Sequence, residues 1–106
     1  MAKYLFIGNY TPDGAKGLLK AGGTARREAI KKVVESVGGT LESLYWAFGA
    51  DDAFIIADLP SHAAAASVSL KISGSGAAGV RTTPIITAED LDAASNLSPE
   101  YRPPGS

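Results

Sequence analysis

The sequence predicts an α+β domain of split βαβ, or ferredoxin-like, architecture (βαββαβ), a four-stranded antiparallel sheet with its two main helices on one side. Three observations predict it. Residues 40–59, TLESLYWAFGADDAFIIADL, read as two apolar strands joined across Gly49, Ala50, Asp51 and Asp52. A strand-then-helix pattern precedes this hairpin, and a helix-then-strand pattern follows it. The strands are apolar on both parities, which suits a sheet covered on both sides rather than one with a wet face.

The first strand, residues 3–10, places Tyr4, Phe6 and Tyr10 on one parity and Leu5 and Ile7 on the other, as a central strand should. Thr11 and Pro12 fit the cap and first position of a helix, with Asp13 near its positive end. Gly14, Gly17, Gly22 and Gly23 argue that residues 12–20 are short or irregular as a helix, since each interior glycine costs about 1 kcal/mol relative to alanine. The main helix is expected from Thr24, with Ala25, Ala29, Ile30, Val33, Val34 and Val37 facing the core. Arg26, Arg27, Lys31, Lys32 and Glu35 turn outward in this reading, and Gly38 and Gly39 end the helix.

In the hairpin, simple alternation groups Leu41 with Tyr45 and Ala47, and Leu44 with Trp46 and Phe48. On the return strand Phe54, Ile56 and Asp58 share a face. Pro60 stops that strand, and Ser61 caps a second, alanine-rich helix running from His62 to about Ser73. A glycine-rich loop, 74–79, leads to a fourth strand, 80–87, whose Pro84 puts it at a sheet edge. A short helix over 88–95 and a proline-containing extended tail follow. One domain is expected over 1–106, its core at 3–87.

Ten basic against eleven acidic residues give no footprint for nucleic acid or an anionic membrane. With no cysteine there is neither a disulfide framework nor a thiolate site, in keeping with a cytoplasmic location. The apolar run near the N-terminus is too short for a membrane span and reads as a strand rather than a signal.

The chain resembles the GYD-domain family, of ferredoxin-like fold and related to the dimeric α/β barrels, over roughly residues 3–87. The resemblance rests on Gly49 and Asp52 in the hairpin turn, Thr11 and Gly14 after the first strand, Arg26, the Gly38–Gly39 pair and Pro60. Asp51 stands where the family motif has its tyrosine. The resemblance implies the fold and no particular activity.

Because both main helices lie on one side, the opposite sheet face is left apolar and bare, which marks an interface. A homodimer or higher homo-oligomer is therefore expected, with Tyr4, Phe6, Tyr45, Trp46, Phe54 and Ile56 as candidates for its surface. A carboxylate at Asp58 on a central strand needs a partner or an upward pKa shift, and Arg81 is the candidate partner, although a solvated place at the strand end suits Asp58 as well. With Asn9, Tyr10 and Trp46 these two could line a cleft for a small apolar or aromatic molecule. Asp58 and His62, the only imidazole, are the candidate proton carriers, although a solvated first-turn role suits His62 as well.

Other constellations carry less. Gly74, Gly76 and Gly79 have dinucleotide-loop spacing but the wrong flanking order, helix before strand. Asp51 and Asp52 suit turn chemistry better than a cation cage, so no metal and no cofactor is expected. Two function classes follow: a binding protein or cofactor-independent enzyme holding a small molecule in a dimer-associated cleft, and a non-catalytic assembly module whose sheet face serves only to oligomerise.

Overall fold

The computed structural model describes all 106 residues. The order is β1 (Ala2–Tyr10), α1 (Pro12–Ala21), α2 (Gly23–Ser36), β2 (Thr40–Trp46), β3 (Ala53–Leu59), α3 (His62–Gly74), β4 (Ala78–Ile85) and α4 (Ala88–Ser95). The strands form one antiparallel sheet in the order β2-β3-β1-β4. The two most apolar strands, β1 and β3, are thus central, and Pro84 lies on an edge strand, where its missing N–H breaks no interior ladder.

The helices cover one sheet face only. Tyr4 and Phe6 of β1 and Ile55, Ala57 and Leu59 of β3 pack with Ile30 and Val34 of α2 and with Ala65, Val68 and Ile72 of α3. Burying Phe6, Leu59 or Val34 stabilises the fold by roughly 1.5–3 kcal/mol each. Ala57 and Ala65, both buried, leave room for α3 to sit close to the sheet.

Three features differ from the sequence pattern. First, α1 is a regular ten-residue helix, capped by the Thr11 hydroxyl, which accepts from the Gly14 N–H at 3.1 Å. Gly14 serves contact rather than breakage: a Cβ there would stand 1.8 Å from the Ala77 carbonyl oxygen. Thr11 also donates its N–H to that oxygen at 3.0 Å and its hydroxyl to the Gly76 oxygen at 2.8 Å, tying α1 to the lead-in of β4. The break falls at Gly22, whose φ of +87° turns the chain into α2. Secondly, β2 carries a bulge between Leu41 and Ser43. The extra residue shifts Leu41 onto the face of Leu44 and Trp46, toward the helices, and leaves Ser43 and Tyr45 on the other. Thirdly, Phe48 lies in the connecting loop, fully exposed, rather than in the strand.

Three of the six candidate interface residues are consequently reassigned. Tyr4 and Phe6 are buried under the helices and Trp46 points to the same side, because β1 alternates with Tyr4, Phe6 and Gly8 inward. The helix-free face is built instead from Leu5 opposite Ile56 and Ile7 opposite Phe54, with Tyr45 beside them at 71 % exposure. No residue of α4 is buried, and no helix is long and apolar enough to cross a membrane.

Candidate functional site

The β2–β3 turn is stitched down by its two aspartates. The Asp52 carboxylate accepts the Tyr10 backbone N–H at 2.9 Å, and the Asp52 N–H donates to the Gly8 oxygen at 3.0 Å. Asp51 accepts from the Asn9 side-chain amide at 2.9 Å and from the Arg81 guanidinium at 3.0 Å. Arg81 therefore pairs with Asp51, not with Asp58. The result is structural: the ends of β1, β2 and β4 are fixed together, and with them the relative placement of Tyr10 and Trp46.

Trp46 donates its indole N–H to the Tyr10 hydroxyl at 3.1 Å. Beneath this pair, between α2 and the sheet, lies a cavity of about 20 Å³, lined almost wholly by apolar groups including Phe6, Leu44, Trp46, Ile55 and Val80. That free volume holds about one water-sized body. Gly8 lines it without a side chain, so β1 leaves space where another residue would fill it. Tyr10 and Arg26 are shared with a second, roomier concavity of about 280 Å³ between α1 and α2, floored by small residues such as Gly14, Gly17, Ala21, Ala25 and Ala29.

Arg26 is the one charged residue of the inner cavity. Its guanidinium carbon stands 5.9 Å from the centre of the Tyr10 ring, and its Nε–H is buried with no hydrogen-bond acceptor. A buried donor left unmade costs about 1–3 kcal/mol. The opening turn of α2 adds to that cost: it has no side-chain cap and no acidic residue, and a cation near a helix N-terminus is disfavoured. The sequence reading turned Arg26 outward because of its charge. Its spacing says otherwise, since Arg26, Ile30 and Val34 are four residues apart along one face of α2, and the latter two are core.

Asp58 and His62 lie elsewhere. Trp46 pairs across from Ala53, whereas Asp58 sits five residues further along β3, on the opposite face, about 17 Å away at the strand rise. Asp58 accepts from Lys3 at 3.1 Å, and Glu42 accepts from the same ammonium at 2.6 Å. Those hydrogen bonds, the one to Glu42 foremost, raise the Lys3 pKa above its ordinary 10.5. His62 Nδ1 is hydrogen-bonded to the Tyr4 hydroxyl at 2.6 Å, with the two rings edge to face. Tyr4 is 3 % exposed, so His62 satisfies a buried phenol. The five residues proposed for a single cleft thus separate into three groups: Tyr10 with Trp46, Asn9 with Arg81 through Asp51, and Asp58 with Lys3. No three acidic or histidine side chains gather as metal ligands would.

A helix-backed antiparallel sheet with one arginine on the wall of an apolar cavity defines a small α+β domain of the split βαβ class. The chain matches the GYD domain over residues 4–95 and belongs to that family. Comparison with curated proteins and with solved structures found no significant match. Of the motif residues, Asp52 makes the stitch to β1, and Asp51, in the tyrosine's place, makes the clamp to Asn9 and Arg81.

Proposed function

We propose that this GYD-domain protein binds a small apolar molecule carrying one carboxylate. The observation that carries the reading is the buried Arg26 Nε–H, which lacks an acceptor and borders a cavity otherwise lined by hydrocarbon and aromatic surface. A carboxylate there would accept from the guanidinium, a charge-assisted bond about twice as strong as a neutral one. The apolar body would lie in the groove between α1 and α2, its tip directed beneath Trp46. Tyr10 would complete the site: its oxygen already accepts from Trp46, which leaves its own proton free for a ligand oxygen. An enzymatic form of this reading routes proton transfer through Tyr10, the one proton-bearing hydroxyl on the cavity wall. The site lies on the helix-covered side, so the two helix-free faces of a dimer would not enclose it.

Trp46 is the only tryptophan, which makes its fluorescence a report on this cavity alone. Titration with phenylacetate should give a saturable change, phenylacetamide should bind at least tenfold more weakly, and Arg26→Met should abolish that preference. Equal response to acid and amide would refute the reading.

The assembly reading is favoured by a separate observation, the helix-free face of Leu5, Ile7, Phe54 and Ile56. On this reading two copies close face to face about a two-fold axis. Phe54→Arg should halve the mass measured by light scattering, and an unchanged mass would count against it.

A further inference from the structure

We infer that the site selects acids branched at the carbon that bears the carboxylate, with one methyl-sized and one large apolar substituent, and that it prefers one enantiomer of them; this deepens the carboxylate reading and rests on it. Two apolar compartments of unequal size meet at one anchor. Arg26 and Tyr10 line both the inner cavity of about 20 Å³ and the groove of about 280 Å³ between α1 and α2. A carboxylate on the Arg26 Nε–H therefore has room for one water-sized group on the sheet side, and for a ring or chain on the other. An unbranched acid fills one compartment and leaves the other empty. A branched acid fills both, and its mirror image cannot do so with the carboxylate still on Arg26.

Gly8 keeps the inner compartment open. The row across the sheet at this level runs Trp46, Ala53, Gly8, Val80, so the side chains dip in the middle. The backbone does not require a glycine at position 8, because its φ is not positive. Nor does packing require one: a Cβ there would stand 3.8 Å from the Ala53 Cβ and 3.8 Å from the Gly79 oxygen, ordinary contact distances. Glycine inside a strand weakens it and often marks the close approach of a ligand. Position 8 thus preserves a space that an alanine would fill without strain. A methyl group entering that apolar space gains contact and breaks no hydrogen bond, which is worth about fourfold in affinity.

Titrations followed by Trp46 fluorescence test this with phenylacetate and the two enantiomers of 2-phenylpropionate, which adds one methyl group beside the carboxylate. One enantiomer should bind about fourfold more tightly than phenylacetate and about tenfold more tightly than its mirror image. Gly8→Ala should erase the advantage of the favoured enantiomer over phenylacetate, with a urea midpoint at or above the parent's. Enantiomers that bind the unmodified chain alike would overturn the inference and leave the carboxylate reading standing. So would a methyl preference that survives in Gly8→Ala, or a midpoint well below the parent's, which would show that the glycine serves the fold. No saturable response to any of the three acids would overturn both readings.

Discussion

Arg26→Met tests the Arg26 reading as a matter of stability. In the free protein the substitution removes a buried N–H without an acceptor, a relief of about 1–3 kcal/mol. It also removes a cation from the opening turn of α2, worth about 0.3–1 kcal/mol. Against these stands the loss of the contact with the Tyr10 ring at 5.9 Å, about 0.5–1 kcal/mol. Methionine keeps the length and the apolar contacts of the arginine stem. The variant should therefore be more stable by about 2 kcal/mol, which in a domain of this size raises Tm by about 8–16 °C. Thermal and urea unfolding followed by Trp46 fluorescence will measure it. Arg27→Met, one residue along and exposed on the outer side of α2, serves as the control and should change stability by less than about 0.5 kcal/mol. Greater stability in Arg26→Met joined to loss of the acid-over-amide preference would mark a residue kept for binding at a cost in stability. If Arg26→Met instead destabilises by 1 kcal/mol or more, the guanidinium is a structural strut and awaits no acceptor.

Three further outcomes follow from the packing. His62→Ala should cost about 1–3 kcal/mol by stranding the buried Tyr4 hydroxyl, and the Tyr4→Phe/His62→Ala pair should cost less than the sum of the singles; additive losses in a double-mutant cycle would separate the two groups. Gly14→Ala should destabilise strongly, by about 2 kcal/mol or more, because its Cβ meets the Ala77 oxygen at 1.8 Å. Gly17→Ala in the same helix, with open space around it, should stabilise by about 0.5–1 kcal/mol; urea midpoints moving the same way for both would refute the contact argument. The Lys3 pKa is raised by Glu42 and Asp58, so its contribution should be complete below pH 10.5 and fade as pH climbs through the higher folded value. Lys3→Met should erase that alkaline loss in unfolding curves measured from pH 9 upward, and an unchanged profile would place the loss elsewhere.

Much of the fold was legible because it depends on patterns that the chain writes locally. The apolar runs of β1 and β3, the Thr11–Pro12 and Ser61 caps, the turn aspartates and Pro84 at an edge each follow from residue chemistry at adjacent positions. What escaped depends on register or on distant approach. The bulge at Glu42–Ser43 reverses which side Leu41 faces, and nothing in residue type marks where an extra residue enters a strand. Gly14 reads as a helix breaker until Ala77 is seen against it. The pairing of Asp58 with Lys3 rather than Arg81 is set by the offset of β1 against β3, which parity cannot supply. Arg26 was open to detection, since its spacing from Ile30 and Val34 outweighs its charge, and long cationic side chains often bury their stems.

The most direct test of the cavity is the Nε–H of Arg26 itself, observed by ¹H–¹⁵N spectroscopy among the four arginines of the chain. On addition of phenylacetate its resonance should move downfield as it gains an acceptor, while those of Arg27, Arg81 and Arg102 stay in place. A response confined to Arg81, or none at saturating acid, would contradict the account.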